Sequence, residues 1–173
     1  MKEKGIDIEI DKLTRSIENS VTGDSFPTDI TLISTNDLKN ITKKNGWLFD
    51  WKAEFSQKQR EIYKLTIVNN PSIIQGLVSL EMKEDHVFLH LIENAPFNKG
   101  KDKMYLGVAG NLVAFTCKVS FQRGHEGNIS FISKTQLINH YVKTLGALHF
   151  GGRVMIIETK TAIKLINRYF HDE

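Results

Sequence analysis

Short apolar runs separated by polar turns occupy the middle of the chain. Residues 62–68, 73–82 and 87–93 are rich in Ile, Leu and Val, and turn-forming residues at 69–71 and 83–86 separate them. Runs of this length bounded by turn signals are typical of β-strands, and short connections join antiparallel neighbours. The pattern therefore predicts a three-stranded antiparallel meander.

Helical periodicity begins after the meander. The predicted helices cover residues 107–121, 137–145 and 159–170, and further short strands are predicted at 128–132, 147–150 and 154–157. A strand, a helix and another strand in succession indicate a parallel crossover. The fold class expected is α/β (α+β), with a mixed, mostly antiparallel central sheet flanked by helices.

The first residues of the chain follow a different pattern. Ile6, Ile8 and Ile10 alternate with Asp7 and Glu9. Strict alternation indicates a half-buried strand or an exposed sheet edge. Residues beyond this point, as far as about residue 31, match neither the strand nor the helix pattern clearly.

Aromatic residues follow a short predicted helix, which begins near Leu38 and ends near Asn45–Gly46. Trp47, Phe49 and Trp51 come directly after it. Three large rings so close together either line a pocket or fill part of the core, and the core is the commoner use.

The composition is that of an ordinary globular protein, with 40% hydrophobic and 25% charged residues in a chain of 173. This length suits a single domain over residues 1–173, in which 1–34 form a variable part. The net charge of +3 is mild and does not indicate nucleic-acid binding. Lys99, Lys101 and Lys103 form either a solvated loop or a site for an anion.

The single cysteine, Cys117, excludes an internal disulfide and lies in an apolar run, so a buried and inert thiol is expected. No stretch approaches the roughly 20 apolar residues of a membrane span, and the first residues lack a signal-peptide core. A cytoplasmic protein that does not enter the membrane is expected. The histidines show no metal-ligand spacing, so no metal is predicted.

The segment 104–115 carries the clearest chemical signal, because a small-residue turn leads directly into a predicted helix, and a polar loop separates it from the predicted strand 87–93. Gly107 and Gly110 lack a Cβ, so a ligand can approach the backbone there. The first turn of a helix presents free N–H groups and the positive end of the helix dipole. This arrangement favours an anionic ligand such as a phosphate.

Residues 104–109, followed by Leu112, resemble the acyl-CoA motif of the GNAT-type N-acetyltransferases, Q/R-x-x-G-x-G/A and then a leucine. Met104 stands where the motif has Gln or Arg. Tyr141, followed by Gly146, is similar to the Y-x-x-x-G ending of a late helix in that family, with one residue more. The resemblance covers about residues 61–157, chiefly in the order of elements.

The resemblance implies a GNAT-type acyl-CoA N-acyltransferase fold with acetyl-CoA as cosubstrate. In such enzymes the amides of the loop hold the pyrophosphate, and the preceding strand contacts the pantetheine arm. The implied pyrophosphate residues are Leu106, Gly107, Val108, Ala109, Gly110 and Asn111. Ile92 and Asn94, together with Glu93 between them, would touch pantetheine through their backbone. The lysines of the 97–103 loop would reach the 3′-phosphate.

Acetyl transfer to an amine needs a base for the amine proton and an acid for the leaving thiolate. Glu93 is the preferred base because it ends the strand nearest the motif, and His90 is second because its ordinary pKa suits neutral pH. Alternation puts Glu93 on the same face as Leu89, opposite His90. Tyr141 is the acid by resemblance. Each of these residues has a structural alternative, as a hydrogen-bonded strand residue or a packed core tyrosine.

The leading hypothesis is an acetyl-CoA-dependent N-acetyltransferase acting on a small amine or a protein amino group. The alternative is a non-catalytic GNAT-like module that binds CoA or a protein partner. A phosphate-binding protein of another fold is disfavoured, because no Gly-Lys-Ser/Thr sequence follows the loop. The sequence does not identify the acceptor, and a homodimer through a sheet edge or the last helix stays open.

Overall fold

The structure, a computed structural model, describes residues 5–170. Its strands are β1 (Ile17–Asn19), β2 (Ser25–Phe26), β3 (Thr28–Leu32), β4 (Arg60–Ile67), β5 (Gly76–Met82), β6 (Val87–Asn94), β7 (Tyr105–Leu106), β8 (Ile129–Ile132), β9 (Leu148–Gly151) and β10 (Val154–Ile157). Its helices are α1 (Trp51–Phe55), α2 (Val108–Gln122), α3 (Ile138–Leu145) and α4 (Thr159–Phe170).

A seven-stranded sheet in the order β3-β4-β5-β6-β8-β10-β9 organises the chain. Its neighbouring strands are antiparallel except for β6 and β8, which are parallel and joined through α2. The predicted meander, the parallel crossover and the mixed, mostly antiparallel sheet with helices are thus confirmed. A second, small sheet in the order β2-β1-β7 was not predicted.

Helix α2 forms the centre of the main core, because it lies against β5, β6 and β8 on one side and against α4 on another. Leu112 and Cys117 on α2 are fully buried, and α4 adds Leu165 and Tyr169 to the same core. Burial raises the pKa of the Cys117 thiol, which agrees with the expected inert cysteine. Among residues 5–170, no helix is long and apolar enough to cross a membrane.

A smaller core lies on the other face of the sheet, since Leu77 and Val78, adjacent on β5, belong to different clusters. Trp47 and Trp51 are buried in this smaller core, so the aromatic run serves packing here. The helix predicted before them is wrong. The segment instead forms two 3₁₀ turns, and Thr42 begins the second by accepting a hydrogen bond from the Asn45 amide. Its sparse apolar residues do not sustain a longer helix.

The pairing of β6 with β8 is short. It runs only from Val87–Ile129 to Leu89–Phe131, after which β6 continues to Asn94 without β8. The two strands therefore leave a cleft between their carboxyl ends. Residue 6 pairs in parallel with residue 133 just beyond β8, so the start of the described chain enters this cleft.

The alternating segment at the start of the chain is half-buried, as predicted. Ile6 and Ile10 are buried, whereas Asp7 and Glu9 are exposed. The segment is extended but forms only an isolated bridge at Ile6 rather than a regular strand. Its apolar side belongs to the main core.

The turn after α2 provides a test of how closely α2 and α4 pack. Gly124 and Gly127 both have positive φ, of 84° and 82°, but only at Gly127 would a Cβ meet other atoms, 2.5 Å from the Phe121 ring and 2.8 Å from Ala162. We expect Gly124→Ala to cost about 1 kcal/mol through backbone strain. Gly127→Ala should cost a further 1–3 kcal/mol or so through overpacking.

Urea unfolding of both variants and the wild type measures these costs, with Gly124→Ala as the matched control for strain. Equal losses in the two variants would contradict the close contact of Gly127 with Phe121 and Ala162.

Candidate functional site

A cavity of about 310 Å³ lies at the open end of the cleft between β6 and β8. Residues 92–94 at the end of β6 form one wall, residues 7–9 form the opposite wall, and residues 48–49 and 98–100 with Lys103 complete the lining. The structure thus brings Ile92, Asn94 and two of the loop lysines, Lys99 and Lys103, to one cavity.

Glu93 is buried, with 3% of its surface exposed, and its carboxylate is fully engaged. One oxygen accepts hydrogen bonds from the Leu48 amide at 2.7 Å and Lys99 Nζ at 2.5 Å. The other accepts from the Phe49 amide at 3.2 Å and Trp51 Nε1 at 2.8 Å. Four donors use the lone pairs that a carboxylate offers, so this group holds the segment 48–51 against β6.

A β-bulge explains why Glu93 faces the aromatic cluster. Ser79 pairs with Leu91 but the next residue of β5 pairs with Leu89, so β6 has one extra residue, His90. One extra residue reverses the alternation of faces beyond it. Leu89 faces the main core while Glu93 reaches Trp51 in the smaller core. The prediction that Leu89 and Glu93 share a face is therefore wrong.

His90 lies away from the cavity lining. Its Nε2 is 2.8 Å from a carboxylate oxygen of Glu81, and its ring packs edge-on against Phe88 with centroids 4.6 Å apart. Its side chain is only 9% exposed. Among residues 5–170, no group of three or more His, Cys, Asp or Glu side chains is arranged to hold a metal ion.

Tyr141 lies across the cleft from β6, on α3, and is 1% exposed. Its hydroxyl donates a hydrogen bond to the carbonyl of Ile8. Burial, with the nearby charges of Asp7 and Glu9, raises the pKa of this phenol. Tyr141 is therefore a protonated hydrogen-bond donor at neutral pH. It lines a small apolar cavity beneath residues 6–10, while Glu93 lines the larger cavity.

The Gly107 loop has the backbone geometry that the sequence suggested. Gly107 has a φ of 88° and is the N-cap of α2. Its N–H donates a hydrogen bond to the Asp11 carboxylate at 3.2 Å, so the loop already binds an anionic group from its own chain. The Asp11 carboxylate also pairs with Lys103 Nζ at 3.1 Å.

The chain covers this loop closely. A Cβ on Gly107 would lie 2.1 Å from the Thr14 hydroxyl, and one on Gly110 would lie 2.2 Å from the Tyr169 hydroxyl. Val108, Ala109, Gly110 and Asn111 are buried, and Leu106 is half-buried. Residues 13–14 and Tyr169 thus cover the two glycines, and none of residues 106–111 lines the cavity.

Solved structures resemble this arrangement, although no protein-family model matches the sequence and no curated protein aligns with it significantly. A mutant form of the spermidine/spermine N-acetyltransferase SpeG of Vibrio cholerae matches with a TM-score of 0.56 at 16% identity, covering 79% of this chain and 96% of that one. The ribosomal-protein-S18-alanine N-acetyltransferase of Escherichia coli matches with a TM-score of 0.51 at 16% identity, covering 75% and 92%.

The chain has the GNAT fold. A SpeG structure in complex with CoA and spermine also matches, with a TM-score of 0.51 at 16% identity over 79% of this chain and 98% of that one. Identity at this level shows the fold alone, so the substrates of these proteins do not transfer directly to this one.

The first residues of this GNAT-fold chain contribute more to the site than the sequence indicated. Asp11 contacts the Gly107 loop, and Asp7 and Glu9 line the cavity. His140 on α3 accepts a hydrogen bond at Nε2 from the Ile10 amide at 2.8 Å. The alternation of Ile6, Ile8 and Ile10 predicted a half-buried segment, but it did not predict the cleft into which the segment packs.

Glu93→Gln tests the structural role of the buried carboxylate. An amide supplies only one oxygen, so two of the four donors would face an NH₂ group. We expect the free energy of unfolding to fall by about 2–3 kcal/mol, measured by urea denaturation. Glu84→Gln, at an exposed turn position, is the control and should leave stability unchanged; an equally small effect at Glu93 would contradict the network.

Alkaline unfolding tests the buried phenols. Burial raises the pKa of Tyr141 and Tyr169, and burial followed by the hydrogen bond to Glu61 raises the pKa of Tyr63 to about 12. The folded state thus holds these protons above pH 10, where an unfolded phenol loses them. Stability should be fully present below pH 10 and fall above it, by up to about 1.4 kcal/mol per pH unit for each phenol.

Chemical denaturation between pH 8 and 11 or so measures this fall for the wild type and Tyr141→Phe. The variant should lose stability less steeply because it lacks one titrating group. Identical slopes would show that Tyr141 ionises as readily in the folded chain as in the unfolded one.

Proposed function

We propose that this protein is an N-acetyltransferase that moves an acetyl group from acetyl-CoA to an amine. The observation that carries the proposal is the hydrogen bond from the Gly107 amide to the Asp11 carboxylate, at the positive end of α2. An amide that binds a carboxylate there has the chemistry to bind a phosphate oxygen instead. The GNAT fold and the cleft between β6 and β8 support the same function.

The residues proposed to hold the cofactor lie on two elements. Leu106, Gly107, Val108, Ala109, Gly110 and Asn111 would surround the pyrophosphate at the start of α2. Ile92 and Asn94 line the cavity and would contact the pantetheine arm. The Asn94 side-chain oxygen is buried and accepts no hydrogen bond within residues 5–170. The loop fits a pyrophosphate only when residues 11–14 leave it.

Two lysines line the cavity, and a third lies between them in sequence. Lys99 pairs with Glu93 and Lys103 pairs with Asp11, while Lys101 is exposed on the loop between them. A cluster of cations next to the cavity suits the 3′-phosphate of CoA, and Lys101 is available for it without breaking either ion pair.

Bound acetyl-CoA would supply the thioester carbonyl that an amine attacks and the thiolate that leaves. Tyr141 is the proposed acid, because its buried phenol is protonated at neutral pH. Glu93 is the proposed base because it lines the cavity, although Lys99 must first release one of its oxygens. His90 remains the second candidate, which would require separation from Glu81.

The acceptor is proposed to be a small amine or a protein amino group. Glu93 lines the cavity from β6, and its carboxylate would attract a protonated amine once Lys99 releases it. The neighbouring structures are named for a polyamine substrate and for a protein alanine, which are the two kinds of acceptor to test first.

A cytoplasmic location and a homodimer stay predictions.

Calorimetric titration with acetyl-CoA, up to about 1 mM, tests the proposal. The wild type should bind, and Gly107→Glu should bind at least about tenfold more weakly, because its carboxylate would repel the pyrophosphate. Gly124→Glu is the matched control, with nearly the same φ but open space around it, and should bind like the wild type. Thermal unfolding shows whether each variant is folded.

Lys101→Ala provides a test that does not disturb the core. It should weaken binding of acetyl-CoA but not of its 3′-dephospho form. Thiol release from acetyl-CoA with spermidine or an alanine-terminated peptide would establish turnover. Asp11→Ala, which frees the Gly107 amide, is titrated beside the wild type. If neither protein binds acetyl-CoA or releases thiol, the proposal is overturned and the non-catalytic module is favoured.

A further inference from the structure

The first ten described residues, 5–14, form an extended segment that we name the strap. It runs beside the end of β8: the Ile6 amide donates to the Ile132 carbonyl at 2.6 Å, and the Lys134 amide donates to the Ile6 carbonyl at 3.0 Å. Gly5 approaches so closely that a Cβ there would lie 2.5 Å from the Lys134 nitrogen. The strap thus takes the place beside β8 that β6 leaves when the two strands separate.

The strap fills the cleft with its apolar side. Ile6 and Ile10 are 6% and 4% exposed, and with Ile8 they face Ile92 of β6 and Tyr141 of α3. What remains beneath them is a space of only about 10 Å³, less than one water molecule needs. No second chain fits between the strap and this floor of the cleft.

The polar groups of the strap engage the residues assigned to the cofactor. The Ile8 carbonyl accepts the hydrogen bond of the Tyr141 hydroxyl, which is the proposed acid. The Asp11 carboxylate occupies the Gly107 amide and pairs with Lys103. The Thr14 hydroxyl lies where a ligand would approach Gly107. A pantetheine arm is likewise an extended chain that leads to an anionic group, the pyrophosphate.

We propose that the strap is a built-in competitor of acyl-CoA, which must leave the cleft before the cofactor can bind. This inference rests on the function proposed above. The protein then exists in two states, one with the strap in the cleft and one with the cleft open to the cofactor. The apparent dissociation constant of acetyl-CoA is then the intrinsic constant divided by the fraction of molecules whose cleft is open, so it rises as the first state becomes more populated.

The interactions that hold the strap are suited to release. It lacks regular strand pairing, and its backbone pairs with backbone of the 132–134 segment only at Ile6. Beyond Ile6, the Ile8 carbonyl and the Ile10 amide form hydrogen bonds with the side chains of Tyr141 and His140. The ion pair of Asp7 with Lys134 joins side chains that are 46% and 41% exposed, so it adds little. Segments with few backbone hydrogen bonds are the first to open locally.

Variants that weaken the strap test the competition by titration with acetyl-CoA. Ile10→Ala removes apolar contact without changing charge, and Asp11→Ala frees the Gly107 amide. Both should bind acetyl-CoA at least about tenfold more tightly than the wild type, although Ile10→Ala should unfold at a lower temperature. Ile163→Ala on α4 and Asp24→Ala, both exposed positions, are the matched controls and should bind like the wild type.

Amide hydrogen exchange supplies a second readout. The direction in which acetyl-CoA changes the exchange rate of the strap separates a competitor, which exchanges faster, from a structural element, which does not. Acetyl-CoA should speed exchange of the Ile6 and Lys134 amides while the start of α2 becomes more protected.

Three outcomes are distinguishable. Tighter binding by both variants together with faster exchange in the strap supports the competition. A wild type that binds acetyl-CoA, with variants that bind no more tightly or a strap that becomes protected, overturns it and leaves the proposed function intact. Absence of binding in the wild type and in every variant overturns the proposed function and this inference with it.

Discussion

The early end of the pairing between β6 and β8 is the constraint on which the rest of the site depends. Parallel strands that separate leave an apolar gap, which must be filled because an empty cleft in a core forfeits packing and burial. In this chain the residues of the strap fill it, and Ile6 and Ile10 join the main core. The same gap makes the fold suitable for an extended ligand.

The second organising interaction is the buried carboxylate of Glu93. A buried charge is costly unless it is paired and fully hydrogen-bonded. Two backbone amides, an indole and a lysine satisfy it, and in doing so they attach the segment before α1 to the end of β6. The carboxylate therefore shapes one wall of the cavity, whether or not it also takes part in proton transfer.

In this molecule, residues of the chain itself occupy the features of the fold that suit acyl-CoA. The chain has a glycine loop, a cleft and a buried tyrosine, on which the proposed acyl transfer from CoA depends. The residues of the strap occupy all three features, through Asp11, the isoleucines and the Ile8 carbonyl. Competition between a segment of the chain and a cofactor is a matter of relative free energy, so small changes in the segment shift it.

The sequence by itself determined the order of the main elements from β4 onward, because hydrophobic periodicity reports local burial. The meander, α2 after Gly107 and the amphipathic α4 followed from it, as did the half-buried alternation of Ile6 and Ile10. Tertiary structure alone decided the rest. The bulge at His90 depends on strand pairing, and it reversed the face of Glu93. The docking place of the strap depends on a cleft formed by residues more than seventy positions away in sequence, which local pattern does not encode.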